Sequence, residues 1–251
     1  MITKRIIPSL LLKNGRLVKG VRFDELRDAG NPGTTSLAHN SQKADEVLLL
    51  DVTASKERRP PDYASIGKVA AECYMPLTVG GGISSLEIAR HCMEIGADKL
   101  CLCTTAYEHP DLLSDLAEVY GSQAVMLRAD VVKENGRHLL YDHRRREPWT
   151  GKGLMEWIQE GVSAGAGEIS IMAVDREGTR SGFDRELLQQ VMDAVDVPVI
   201  LEGGAGTLEH LSEALDWGAD ALALGTMLVF SDNNIVKIKS YLAMKGHSIR
   251  L

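Results

Sequence analysis

The polar and apolar positions divide the chain into short, almost wholly apolar runs separated by stretches with helical spacing. The runs are RIIPSLLL from Arg5, EVLLLDV from Glu46, PLTVGG from Pro76, KLCLCT from Lys99, AVMLRADV from Ala124, EISIMAV from Glu168, PVILEGG from Pro198 and DALALGT from Asp220. Runs this continuous belong to parallel strands covered on both faces. Between them, Asn31-Pro32 opens a helix to about Ala44 and Pro60-Pro61 one ending near Tyr74. Ser85 and Thr207 start two more, and the others cover Pro110–Tyr120, Gly153–Ala164, Asp184–Val195 and Asn234–Lys245. Eight strands thus alternate with eight helices. Asn14-Gly15 turns the chain into a long polar loop, Gly15–Gly33, which is expected to be a mobile lid holding Lys19. Asn135-Gly136 predicts a small hairpin after the fifth strand, and Glu177-Gly178-Thr179 with Ser181-Gly182 a second flexible loop.

The chain also says one sentence twice. PLTVGGGISSLEIARHCMEIGADKLCLCT at Pro76–Thr104 recurs at constant spacing as PVILEGGAGTLEHLSEALDWGADALALGT at Pro198–Thr226. A period of half the chain is too long for a solenoid and fits one domain built of two similar halves, about 1–122 and 123–251. Alternating elements with this internal two-fold predict an α/β fold, a single (β/α)8 TIM barrel over 1–251. A doubly wound open sheet would not explain why the halves match.

Composition narrows the setting. A net charge of −7 gives no reason to expect nucleic acid, and the basic run Arg144–Arg146 is short. The four cysteines, Cys73, Cys92, Cys101 and Cys103, lack zinc spacing and read as reduced core residues in the cytoplasm; no metal or cofactor is expected. Neither a membrane span nor a signal peptide is expected.

Barrels of this kind carry their chemistry at the carboxyl ends of the strands. There lie Gly81, Gly82 and Thr104 in one repeat copy and Gly203, Gly204, Gly225 and Thr226 in the other, two candidate phosphate cradles of free backbone N–H groups and hydroxyls. Asp130 ends the fifth strand, and its twin position in the first strand holds Leu11, so a carboxylate pair for general acid and base work is reduced to one. Glu202 falls beside the second cradle, where like charges at 4 Å would repel by about 4 kcal/mol at an effective dielectric of 20. At the opposite ends, Arg5, Glu46, Lys99 and Glu168 begin four strands, and inward-facing side chains there would form a ring of paired charges.

These motifs together resemble the cyclase subunit of imidazole glycerol phosphate synthase, end to end. The resemblance implies a barrel that docks a glutaminase on its N-terminal (bottom) face, as a heterodimer, and passes ammonia through its centre. Arg5, Glu46, Lys99 and Glu168 then match the ammonia gate, and Asp98 and Gln123 the glutaminase interface. Asp130 matches a catalytic aspartate, Lys19 the mobile first loop, and Gly82, Thr104, Gly204 and Thr226 phosphate-site positions.

The departures lie at the top. Leu11 stands where the family has its other aspartate, Cys103 where it has asparagine, Glu202 where it has serine and Met172 where it has threonine. A divergent branch with leucine at that position resembles the chain more closely; it supplies ammonia to a separate sugar amidotransferase at the C-terminal face, for acetamidino sugars of bacterial surface polysaccharide (O-antigen type). That is the preferred reading. The alternatives are the histidine-pathway cyclase itself, a lyase, a phosphosugar isomerase of the sister family, and a scaffold that only activates the glutaminase.

Overall fold

Eight of the apolar runs become parallel strands that close on one another. In the computed structural model, which describes residues 3–251, β1 (Arg5–Lys13) is followed by β2 (Arg16–Val21), β3 (Asp24–Gly30), β4 (Val47–Asp51), β5 (Leu77–Gly80) and β6 (Lys99–Leu102). Then come β7 (Val125–Glu134), β8 (Arg137–Asp142), β9 (Glu147–Pro148), β10 (Glu168–Ala173), β11 (Val199–Glu202) and β12 (Ala221–Leu224). The order β10-β11-β12-β1-β4-β5-β6-β7 is parallel throughout, and β7 pairs with β10 to complete the ring. The protein is a (β/α)8 barrel, as the alternation predicts.

Strand alternation sorts the side chains into two cores. On β1 and β4, Ile6, Leu10, Leu12, Val47 and Leu49 face the helices, while Ile7, Leu11, Leu48 and Leu50 join Met126, Ile200 and Ala221 inside the barrel. The first group packs into a shell with Leu187, Leu211, Ile238 and Leu242 from the surrounding helices. The inner group is small because polar side chains take the remaining inward positions.

The repeat survives in atomic detail. Ser85 and Thr207 each accept a hydrogen bond from the backbone N–H three residues on, at 3.3 Å, and so cap the helices Leu86–Glu94 and Leu208–Asp216. Gly96 and Gly218 follow those helices at φ +113° and +112°, a conformation that strains any residue with a Cβ. Asp98 and Asp220 then take the backbone N–H of Leu77 and Val199, at 2.8 and 3.1 Å, tying each helix exit to the start of the preceding strand.

The hairpin expected at Asn135-Gly136 is formed by β7 and β8. Gly15–Gly33, by contrast, is no irregular loop. Asn14 and Gly15 both adopt positive φ, and the chain returns along β1 as β2, then turns again into β3. An Asn-Gly turn of this kind joins antiparallel strands readily; the polar sequence beyond it hid the pairing. The loop at Glu177 is likewise not free, since Glu177 is buried.

One buried histidine makes stability acid-sensitive. His39, in the helix Pro32–Ser41, has no hydrogen-bond partner for Nδ1, and burial lowers its pKa to about 4. The unfolded imidazole takes a proton near pH 6.5, so between those values the unfolded chain binds more protons and acid favours it. Stability should be fully present above pH 6.5 and fall by about 2–3 kcal/mol as pH drops to 4. Urea melts of the protein and of His39→Met across that range check this; equal acid losses in both would assign the effect elsewhere.

Candidate functional site

The strand starts form the charged ring. Glu46 Oε2 accepts from Arg5 Nη1 at 3.1 Å and Lys99 Nζ at 2.9 Å, while Lys99 also reaches Glu168 Oε2 at 3.1 Å. Arg5 closes the circuit by donating to Glu168, and Thr78 Oγ1 donates to Glu46 at 2.6 Å. Cations and anions therefore alternate around the barrel bottom. Burial opposes the Arg5 charge, but the carboxylates of Glu168 and Glu46 hold its pKa above the ordinary value. Asp98 and Gln123, expected at the same face, are exposed, and Gln123 donates to the Tyr120 carbonyl at 2.9 Å.

Above the ring comes the apolar layer with Ile7, Leu48 and Met126, and above that a second ionic layer. Arg128 Nε donates to Asp130 Oδ1 at 2.9 Å, and Nη1 donates to Glu202. Ser170 and Ser9 donate to the same Glu202 carboxylate at 2.7 and 3.1 Å. Burial penalises the guanidinium, yet Glu202 and Asp130 hold its pKa above the usual range. The Glu202 carboxylate expected to face the second cradle alone is paired with Arg128, which Asp130 shares. Arg128 itself was legible only as a charge two positions before Asp130, on the same inward face.

Over this layer opens a cavity of about 490 Å³ lined by Leu11, Asp130, His143, Cys103, Met172 and Arg128. Asp130 and Leu11 do face the same space, as their twin positions predict. Around Asp130 Oδ2 lie Cys103 Sγ at 3.7 Å and His143 Nδ1 at 3.8 Å. Burial pushes the Cys103 thiol well up and the His143 imidazole down, so both are neutral near pH 7. His143 follows β8 and is a second titratable group at the mouth that sequence spacing did not reveal.

The two cradles differ. Gly81, Gly82 and Thr104 line the large cavity together with Thr53, Ser55 and Lys56. Gly82 has φ +75° and its N–H donates to Ser55 Oγ at 3.1 Å. Asp51 braces this loop by accepting from the backbone N–H groups of Thr53, Ala54 and Asp62 at 3.1–3.2 Å and from Arg59 at 2.7 Å. In the other half, Gly203, Gly204, Gly225 and Thr226 surround a cavity of only about 20 Å³. Lys19, expected on a mobile loop, lies on β2 with its ammonium against Gly225 and 2.6 Å from Glu177 Oε1. Among the described residues no group of three or more His, Cys, Asp or Glu is arranged to hold a metal ion, and no helix is long and apolar enough to cross a membrane.

The family described as "Histidine biosynthesis protein" matches residues 5–234. Among curated relatives, the protein named imidazole glycerol phosphate synthase subunit HisF of Chloroherpeton thalassium is 43% identical over 252 residues, covering all of both chains. Those of the same name from Geobacillus kaustophilus and Exiguobacterium sibiricum are 43% and 40% identical, again over the whole of both chains.

Proposed function

From the premise that this chain belongs to the histidine biosynthesis protein family, among the imidazole glycerol phosphate synthase cyclase subunits, we propose that it is the synthase subunit of a glutamine-dependent two-subunit enzyme. A glutaminase docks on the bottom face, and its ammonia enters through the charged ring and is used at the top. The observation that carries this is the ring itself, in which Lys99 is shared by Glu46 and Glu168 at 2.9 and 3.1 Å. Lys99 and Arg5 are both partly exposed, at 20% and 24%, and the Lys99 side chain can swing aside while Arg5 keeps both carboxylates compensated. The apolar layer above favours neutral ammonia over ammonium, because a bare cation pays desolvation there.

For the reaction at the top, the relatives' names favour the histidine-pathway cyclase, a lyase, over the surface-sugar reading expected from the sequence. One observation favours the second reading. Asp130 faces Leu11 rather than a second carboxylate, and Arg128 holds it as an ion pair. A top so altered supports delivery of ammonia to a separate sugar amidotransferase on the C-terminal face, giving an acetamidino sugar.

Both readings share the bottom face, and one experiment tests it. Adding the cognate glutaminase should give a stable heterodimer by light scattering and a rise in glutamine hydrolysis of at least ten-fold. Lys99→Ala should keep the complex but lower the fraction of glutamine nitrogen that reaches product. Absence of both complex and stimulation would end the proposal.

A further inference from the structure

We propose that the barrel carries a second, internal gate: the Arg128–Glu202 pair spans the lumen beneath the upper cavity, and ammonia that has passed the charged ring must pass this pair before it reaches the top. This deepens the reading of the ring as the ammonia entrance and rests on it. The pair lies on a chord of the barrel. β1 and β7 face each other across the closed sheet, with β4, β5 and β6 between them on one side and β10, β11 and β12 on the other. Glu202, from β11, accepts from Arg128 of β7 and, at 3.1 Å, from Ser9 of β1, so one carboxylate joins opposite walls. Ser170 of β10 donates to it at 2.7 Å.

On the other side, Leu50 and Cys101 close over β5. A Cβ on Gly80 would meet Leu50 Cδ2 at 2.7 Å and Cys101 Cβ at 3.0 Å. Burial pushes the Cys101 thiol up to about 12, and Arg128 is the charge that most opposes this, so thiol and guanidinium share a level. The upper cavity stops here. Arg128, Leu50 and Cys101 line it, whereas Ile7, Leu48, Met126 and Ile200, two residues nearer the strand starts, do not, and these are at most 1% exposed. A short apolar chamber is thus shut by the ring below and the ion pair above.

The two partners differ in freedom. Glu202 is anchored by hydroxyls from two other strands, so it keeps two hydrogen bonds if the guanidinium leaves. Arg128 has a second anchor in Asp130 Oδ1, 2.9 Å from its Nε, and it borders the cavity. Releasing Glu202 therefore leaves the guanidinium compensated by Asp130, with the cavity as its room to move. Arg128 is the moving part. Since that room is also the ligand's, what occupies the cavity bears on when the gate opens. Two gates in series need never be open together, and neutral ammonia can rest in the apolar chamber between them, where ammonium would pay desolvation.

The test uses the full chain and hydrogen peroxide as a small neutral probe. Met126 lies in the chamber and Met172 lines the cavity above it, so methionine oxidation followed by mass spectrometry reads the two compartments separately. In the unaltered protein Met172 should oxidise roughly ten-fold faster than Met126. Glu202→Ser leaves Arg128 paired with Asp130 but removes the chord, and it should raise the Met126 rate roughly ten-fold while Met75, buried in the outer core, keeps its rate. Glu202→Gln, which can still accept from Arg128 and Ser170, should leave Met126 protected; thermal melts confirm that both variants fold. Lys99→Ala should open the same chamber from below, and the docked cognate glutaminase should suppress that rise but not the one in Glu202→Ser. Equal rates at Met126 and Met172 in the unaltered protein, an unchanged Met126 in folded Glu202→Ser, or a rise shared by Met75 would each overturn the proposal. A glutaminase that neither binds nor shields Lys99→Ala would strike the reading of the bottom face and leave the upper gate standing.

Discussion

Replacing Arg128 by methionine is expected to destabilise the protein by about 3–5 kcal/mol. The guanidinium is the shared counter-charge of Asp130 and Glu202, which are 3% and 1% exposed. Methionine fills similar volume, so packing is largely kept and two buried carboxylates are left facing each other. Ser9 and Ser170 still donate to Glu202, and Cys103 lies 3.7 Å from Asp130, but none of them brings charge. Urea unfolding at pH 7 gives the number. Arg128→Met with Glu202→Gln should recover a large part of the loss. A double-mutant cycle states the coupling directly. A single-variant cost below about 1 kcal/mol would show that water reaches the layer and that it is no buried network.

With the family's own substrate and saturating ammonium salt, imidazole glycerol phosphate formation is expected to run about 10²–10⁴-fold below that of a relative with carboxylates at both mouth positions. That is the usual cost of one missing acid or base. Leu11 supplies no proton transfer, and Asp130 is bound to Arg128 at 2.9 Å. Cys103 Sγ at 3.7 Å and His143 Nδ1 at 3.8 Å are the other titratable groups beside Asp130, and neither is a second carboxylate. Leu11→Asp alone should recover little, because Cys103, Met172 and Glu202 also depart from the family's residues at the top face. Turnover equal to an ordinary relative would establish the histidine-pathway reading and remove the surface-sugar one.

The architecture was readable because it rests on local and periodic signals. Eight apolar runs, eight helix starts and a repeated Gly-Ala-Asp stop are each written in neighbouring residues, and Ser85 and Thr207 mark their helices by side-chain chemistry alone. The ring at the bottom was readable for a related reason: a charge opening an otherwise apolar strand has few places to go. What could not be read is what depends on partners far along the chain. Glu202 looked like an obstacle to phosphate until Arg128, 74 residues away, appeared beside it. Lys19 looked mobile because nothing near it in sequence is its partner; Glu177 lies on the far side of the barrel's repeat. The Gly15–Gly33 segment reads as a loop in the sequence because exposed strands such as β3 need no hydrophobic face.

The barrel's seam has a consequence for how the chain is made. Arg5 to Pro8 pair with Ala221 to Leu224, so one edge of the first strand waits for nearly the last strand to be synthesised. At ~5–20 residues per second that wait is on the order of 10–40 s on the ribosome. During it, β2 covers only Leu11 to Lys13, and the rest of the edge is open to any passing strand. Arg5 places a charge at the beginning of that stretch and Pro8, which has no N–H, ends it. The nascent chain therefore carries its own protection against mispairing, and the arginine that later closes the ionic ring serves first as a guard on an unfinished sheet.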